Sequence, residues 1–150
     1  MLFITVIPLL VMIISDWYTR RVSIIALVIF ALLCFICAIY KYNICLIAYR
    51  SLCNITLLFT LYIGVYVWFL VKGEKKIISQ TFGSGDIGFI VSTAPLLQLY
   101  EYLLFILISC VASLLWWIII YWITGKNRTI PFISTSGVCY IGYICSLSFY

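Results

Sequence analysis

The chain has 150 residues, of which 67% are hydrophobic and 9% charged, and its formal net charge is +5. Ordinary soluble domains carry about 25% charged residues, and a soluble fold of this length leaves about 30% of its unfolded surface in water. The composition therefore excludes a soluble domain and predicts one membrane-embedded domain over residues 1–150. The absence of histidine removes the commonest nitrogen ligand for zinc and the usual partner of a Ser or Cys nucleophile.

Charged residues and turn formers divide the chain into six apolar stretches, each near the length of about 20 residues that a helix needs to cross a bilayer. The first stretch starts without the basic segment and cleavage site of a secretory signal, so we interpret it as an uncleaved span. The fourth is short, and Pro95 is expected to kink it. The sequence predicts an all-α transmembrane bundle with spans at roughly 1–15, 22–40, 51–71, 84–100, 102–124 and 130–150.

The basic residues predict the orientation of the bundle. Seven of them lie in the connections after spans one, three and five, and two lie after spans two and four. Cytoplasmic loops are enriched in Lys and Arg, so we expect the first group to be cytoplasmic and both termini to be external. We interpret these residues as topology signals and contacts to anionic lipid rather than as a nucleic-acid patch. They are Arg20, Arg21, Lys72, Lys75, Lys76, Lys126 and Arg128, against Lys41 and Arg50.

The seven cysteines lie mostly in apolar runs, where small polarisable side chains fill the packing. Cys34 and Cys37 stand three residues apart in the second predicted span, and a redox or metal role for this pair stays open beside the packing interpretation. We predict no metal site and no cofactor.

The chain has only four carboxylates: Asp16, Glu74, Asp86 and Glu101. Glu74 lies among lysines in a predicted cytoplasmic loop, and Glu101 lies at the external junction of spans four and five. We interpret both as structural. Asp16 ends the first span, where the negative end of a helix disfavours an anion. A solvated loop aspartate is the alternative at that position.

Asp86 closes the segment Gly83-Ser84-Gly85-Asp86 and opens the fourth span. An aspartate there could be an ordinary N-cap. The two glycines indicate a role beyond capping, because glycine permits a positive φ and lets another backbone come close. We therefore predict that Gly83 and Gly85 form a turn against which an extended substrate binds.

The two aspartates together indicate a chemistry. Asp16 and Asp86 both fall at cytoplasmic ends of predicted spans, so the spans could bring them together at one depth. Ionisable groups at membrane depth are costly and usually functional. Two carboxyls in contact share one proton, so that one can take a proton from water while the other donates to a peptide carbonyl. This pairing predicts an aspartic peptidase that needs neither metal nor histidine.

Three segments of the chain resemble the type IV prepilin peptidase family, membrane aspartic peptidases of the Gly-x-Gly-Asp kind. The segment from Asp16 to Val22, DWYTRRV, is similar to the family's Asp-x-x-Thr-Arg-Arg-Ile. Gly83-Ser-Gly-Asp86 matches the second motif fully, and Ile130-Pro-Phe132 is similar to the opening of the family's late helix. The resemblance covers essentially the whole chain. The presenilin kind fits less well, because this chain lacks the Tyr-Asp pair and the Pro-Ala-Leu motif.

The resemblance implies that Asp16 and Asp86 are the catalytic pair of a multi-pass enzyme of the bacterial inner membrane. The implied substrate is the short basic leader of a type IV prepilin or pseudopilin. Ser23-Ile24 stand where the family usually has Pro-Asn, and Ser23 can still cap the second span. Gly88 stands where a lysine is common, which removes a charge near the site. No nucleotide-binding signature is seen, so methylation of the product is not assigned.

Two other classes of function remain as alternatives. A non-catalytic membrane subunit of a pilus or type II secretion assembly could keep the same motifs as helix caps and packing glycines. A small proton-coupled transporter would need carboxylates near the middle of the membrane, whereas both aspartates fall at span ends. The position of Asp16 relative to Asp86 separates the first alternative from the peptidase.

Overall fold

The computed structural model describes residues 2–19, 22–72, 83–124 and 132–148. These residues form a short 3-10 helix, Leu2–Thr5, and six α-helices, without a strand among them, which confirms the all-α prediction. The helices are α1 (Val6–Thr19), α2 (Ile24–Lys41), α3 (Ile44–Val71), α4 (Ser84–Thr93), α5 (Leu99–Thr124) and α6 (Phe132–Ser148). Predictions for Arg20, Arg21, Glu74, Lys75, Lys76, Lys126, Arg128, Ile130 and Pro131 lie outside the described residues.

Three of the helices are long and apolar enough to cross a membrane: α2, α3 and α5. The apolar segments Phe3–Tyr18 and Phe132–Cys145 are shorter. Helix α4 has ten residues, which at 1.5 Å per residue reach about 15 Å, half of a bilayer core about 30 Å thick. Large apolar side chains such as Phe59, Trp68 and Trp122 are exposed around the bundle, as expected where lipid is the solvent.

The predicted bounds of the fourth span were wrong, because the helix ends at Thr93 instead of continuing through Pro95. Proline carries no N–H and cannot continue the hydrogen-bond ladder. The chain tightens into turns instead, with Ala94 N–H bonded to Val91 O and Leu96 N–H bonded to Thr93 O.

The third span also begins earlier than predicted, at Ile44 instead of residue 51. Arg50, which was placed in a connection between spans, lies within helix α3. Its guanidinium carbon lies 4.0 Å from the ring centroid of Tyr42, so an aromatic face accommodates the charge beside the helix. Only Tyr42 and Asn43 separate α2 from α3.

An aromatic cluster occupies the centre of the bundle and takes one ring from each of four helices. Phe30 of α2 stacks on Phe89 of α4, with ring centroids 5.3 Å apart. Tyr140 of α6 meets Phe30 edge-on at 5.6 Å and Phe105 of α5 at 6.1 Å. Such offset and edge-to-face pairs are the arrangements that aromatic rings favour. The cluster fixes how α2, α4, α5 and α6 sit around one core.

Helices α1 and α4 share the same two main neighbours, α2 and α6. Both helices are therefore held in place by α2 and α6. Close approach of α1 to α6 depends on Gly137, where a Cβ would lie 2.8 Å from Ile13 Cδ1. The C-terminal end of α1 therefore lies beside the N-terminal ends of α2, α4 and α6. We call this the aspartate end of the bundle.

Candidate active site

Asp16 lies in the last turn of α1 and is buried, with 8% of its surface exposed. Its Oδ2 atom accepts two hydrogen bonds from Ser134 near the start of α6. The backbone N–H of Ser134 donates at 3.1 Å and its hydroxyl at 2.9 Å. The first N–H groups of a helix have no partner within the helix and carry partial positive charge, so they favour an anion. Helix α6 thus supplies the stabilisation that the end of α1 cannot.

Asp86 lies in the first turn of α4 and is half-buried. The N-cap of this helix is Gly83, so the alternative of Asp86 as the N-cap is wrong. Asp86 stands three residues later, at the helical position where an acid can satisfy the N-cap N–H.

Asp16 and Asp86 come together at the aspartate end from two different helices. The Ser134 hydroxyl that binds Asp16 belongs to the residue after Ile133, whose Cδ1 would lie 3.6 Å from a Cβ on Gly85, the residue before Asp86. Within the described residues their oxygens form no direct hydrogen bond to each other. The two aspartates are therefore near each other without a direct bond. That a water lies between their oxygens and that they share one proton stay predictions.

The glycines beside Asp86 matter because they have no side chain, and not because their backbone conformation is unusual. Gly83 has φ −65°, and neither it nor Gly85 has a positive φ, so that part of the prediction was wrong. A Cβ on Gly83 would lie 2.9 Å from Asp86 Oδ2, so the missing side chain makes room for the carboxylate. A Cβ on Gly85 would lie 2.6 Å from Val22 Cγ2 and 3.6 Å from Ile133 Cδ1. A contact of either glycine with substrate stays a prediction.

The contacts of Gly85 bring all three sequence motifs to one place. Val22 ends the first motif, Gly85 belongs to the second, and Ile133 directly follows the third. Gly88, which stands where the similar family often has lysine, packs on Leu27: a Cβ there would lie 2.8 Å from Leu27 Cδ2. Segments far apart in the chain therefore converge at the aspartate end.

Two polar residues were missed by sequence reasoning. Ser134 could have been found, because Ile130-Pro131-Phe132 already indicated a helix start and a serine follows within its first turn. Asn54 is fully buried in α3, and its Nδ2 donates to Ala94 O at 2.8 Å and to Leu97 O at 2.9 Å. An amide inside an otherwise apolar span was the available signal, but nothing in the sequence named its partners.

The remaining candidates of the sequence analysis have local explanations in the structure. Glu101 lies in the first turn of α5, and its Oε2 accepts the backbone N–H of Gln98 at 3.0 Å. All seven cysteines are thiols, and Cys34 lies 3.9 Å from the hydroxyl of Tyr140 within the core. Among the residues that the structure describes, no cluster of three or more His, Cys, Asp or Glu side chains could hold a metal ion.

No known protein family, curated protein or solved structure matches the chain at a significant level. The resemblance to prepilin peptidases therefore depends on the three motifs, and what it implies belongs to the proposal below.

Proposed function

We propose that this protein is a membrane aspartic endopeptidase in which Asp16 and Asp86 form the catalytic pair. One observation carries the proposal: two carboxyls from helices far apart in the chain lie at the same end of the bundle. Ser134, which donates two hydrogen bonds to Asp16, directly follows Ile133, and a Cβ on Gly85 beside Asp86 would lie 3.6 Å from Ile133 Cδ1. Like charges held close are costly when both are ionised, so such a pair favours a single shared proton. A partly buried pair of this kind is a candidate for acid–base catalysis.

The reaction follows from the shared proton. A water between the carboxyls attacks the carbonyl carbon of the scissile peptide while the ionised aspartate takes its proton. The protonated aspartate donates to the carbonyl oxygen, which gives a neutral tetrahedral intermediate. Collapse of this intermediate returns a proton to the pair and breaks the C–N bond as the departing amine is protonated. The net change is hydrolysis of one peptide bond, with both carboxyls restored.

The proposed substrate is the short basic leader of a type IV prepilin or pseudopilin, cut at a glycine before a hydrophobic helix. Support comes from the convergence of the three family-like motifs, because a Cβ on Gly85 would meet both Val22 and Ile133. The proposed setting is the bacterial inner membrane. There the aspartate end faces the cytoplasm, six helical segments cross or enter the bilayer, and both termini are external.

Lys72 and the aromatic residues near the aspartate end agree with that setting. Lys72 follows α3 with its ammonium 5.2 Å from the ring centroid of Trp68, and Trp17 and Tyr18 are exposed at the end of α1. Aromatic and basic side chains are enriched where helices leave the membrane on the cytoplasmic side.

The test of the proposal is co-expression with candidate prepilins in cells that lack their own prepilin peptidase. Leader removal is followed as a mobility shift, and mass spectrometry locates the new amino terminus. We expect cleavage after the glycine that precedes the hydrophobic segment, and none with the Asp16→Asn variant as the negative control. Intact precursors across a panel that a known prepilin peptidase processes would contradict the proposal.

A second candidate is a non-catalytic subunit of a pilus or secretion assembly. The observation that favours it is the local role of the glycines: Gly83 is a helix N-cap and Gly85 allows close packing on Val22. Those roles would be kept without catalysis. They do not explain why Asp16 is buried beside a second carboxyl, and we therefore place this candidate second.

A further inference from the structure

The two aspartates have different hydrogen-bond donors. Asp16 Oδ2 accepts both the backbone N–H and the hydroxyl of Ser134, which comes from another helix. Among the described residues, no donor from another helix is hydrogen-bonded to the Asp86 carboxyl, which lies beside Gly83 in its own first turn. Hydrogen bonds donated to a carboxylate favour its ionised form, and each charged bond is stronger than a neutral one. The donor sets therefore distinguish the two members of the pair.

The backbone N–H of Ser134 fixes the role of the Asp16 oxygen that it contacts. A backbone N–H can only donate, so Asp16 Oδ2 must act as an acceptor. The hydroxyl oxygen of Ser134 lies 2.9 Å from Asp16 Oδ2 and 3.3 Å from Ile13 O, so the carboxylate is the closer of its two acceptors. Ser134 is itself buried, with 4% of its surface exposed, so these bonds lie largely outside solvent competition.

We propose that Ser134 is a positioning residue that holds Asp16 Oδ2 as a hydrogen-bond acceptor, so that Asp16 is the general base and Asp86 the general acid of the pair. This inference rests on the proposed peptidase function. It assigns the roles of acid and base, which the sequence motifs do not distinguish. Asp16 takes the proton of the attacking water, and Asp86 gives its proton to the peptide carbonyl oxygen. The C–N bond then breaks as the amine nitrogen takes the proton from Asp16, and a hydroxyl proton of the intermediate returns to Asp86.

Ser134 acts through Asp16 and does not contact the substrate in this scheme. Removing its hydroxyl should therefore slow the chemical step and leave substrate binding almost unchanged. A hydrogen bond to a charged group contributes about 1.5–3 kcal/mol, and each tenfold in rate is about 1.4 kcal/mol. We expect Ser134→Ala to lower kcat by about 10- to 100-fold, with KM within about threefold of wild type.

The experiment uses the full chain, purified in lipid nanodiscs, and a prepilin that the wild type cleaves. Ser134→Thr keeps the hydroxyl and should recover most of the lost kcat. Ser134→Cys keeps the size of the side chain but is a weak donor, so it should resemble Ser134→Ala even if the smaller alanine disturbs packing. The matched control is Ser136→Ala on the same helix. The Ser136 side chain is equally buried, but its hydroxyl donates to Phe132 O at 2.7 Å.

The outcomes separate this inference from the proposed function. A wild-type protein that cleaves no prepilin would overturn both. Wild-type cleavage with an unchanged kcat in Ser134→Ala and Ser134→Cys would overturn the role of Ser134 alone. Equal losses in Ser134→Ala and Ser136→Ala, or a rise in KM without a fall in kcat, would also overturn it. A folded Ser134→Thr variant as slow as Ser134→Ala would do the same.

Discussion

Helices α4 and α5 begin with the same local arrangement but meet different surroundings. Asp86 stands three residues after the N-cap Gly83, and Glu101 stands three residues after Gln98, whose N–H it accepts. Either acid alone would be explained by helix capping. The difference lies in what a second helix adds: α1 brings the buried carboxyl of Asp16 to Asp86.

The surroundings of Glu101 are those of a structural group. The Tyr143 hydroxyl of α6 faces its carboxylate, and Arg50 lies on the same side of the bundle. A phenol and a guanidinium near a carboxylate stabilise the charge that it already carries. A second carboxyl does the opposite, because it makes full ionisation of the pair costly. The comparison teaches that a capping position becomes a candidate catalytic position only through its tertiary partner.

The largest effect is expected when the carboxyl of either aspartate is replaced by a carboxamide. Asp16→Asn and Asp86→Asn should each lower leader removal by about 1,000-fold or more, because a carboxamide cannot complete the proton exchange. The double variant should be little worse than either single variant, since groups that act as one unit are strongly non-additive. The measurement is the mobility-shift assay at matched membrane levels of protein.

Matched membrane levels matter because an altered cap could cost about 1 kcal/mol of stability by itself. Retained processing by a well-folded Asp16→Asn or Asp86→Asn variant would rule out the catalytic pair. The non-catalytic subunit would then become the leading proposal.

The next largest effect is expected where α2 and α4 approach at the aspartate end. Gly85→Ala adds a Cβ that would lie 2.6 Å from Val22 Cγ2, and a β-branched valine has little rotamer freedom to move away. We expect a loss of about 1–3 kcal/mol in the free energy of unfolding and a clear fall in processing. Thermal unfolding in detergent and the cleavage assay provide the two measurements.

The combination Gly85→Ala with Val22→Ala should recover much of both losses, because it removes the clashing methyl. The matched control is Gly64→Ala in α3, where a Cβ would meet nothing within 4 Å, and it should leave processing unchanged. Failure of the double variant to recover stability would show that the glycine acts otherwise than through this contact.

A smaller effect is expected at the attachment of α3. Asn54→Leu removes the donor of the bonds to Ala94 O and Leu97 O, where the backbone ladder ends at Pro95. Leaving buried carbonyls without a partner costs about 1–3 kcal/mol, so the variant should unfold at a lower temperature. Its processing should fall less than that of Gly85→Ala, because the aspartate end keeps its own contacts.

The control for this change is Asn43→Ala. Asn43 is an exposed N-cap of α3 whose side chain makes no capping hydrogen bond. Its replacement should change the unfolding temperature by far less. Equal effects of the two variants would mean that Asn54 stabilises the bundle no more than a surface asparagine does.

The sequence predicted the helical class and the meeting of the two aspartates because both follow from long-range composition and spacing. Apolar length identified α2 and α5, and charge at the span ends placed Asp16 and Asp86 together. It missed the early start of α3, since Arg50 looked like a loop residue until the ring of Tyr42 was known to face it. It also missed Ser134, whose role depends on which oxygen atom its hydroxyl contacts in the folded bundle.

The roles of the glycines show the same limit. A Gly-x-Gly-Asp segment is compatible with a turn of positive φ or with a helix start, and backbone propensity alone does not choose between them. The choice depends on the neighbours: Val22, in the segment before α2, and Ile133, in α6, leave no room for a side chain at Gly85. Tertiary packing therefore decides what a permissive residue is used for.

The smallest effect is expected at Glu101. This variant tests most directly whether Asp86 and Glu101 differ through their tertiary partners. Glu101→Gln keeps an oxygen that can accept the Gln98 N–H and removes only the charge. We expect a loss of less than about 1 kcal/mol in unfolding free energy, the size of a helix-end charge effect. Processing should match wild type within about twofold, although Asp86→Asn makes the corresponding change at the corresponding helical position. If Glu101→Gln abolished processing in a folded protein, an acid at the capping position would be needed for activity whether or not a second carboxyl lies beside it.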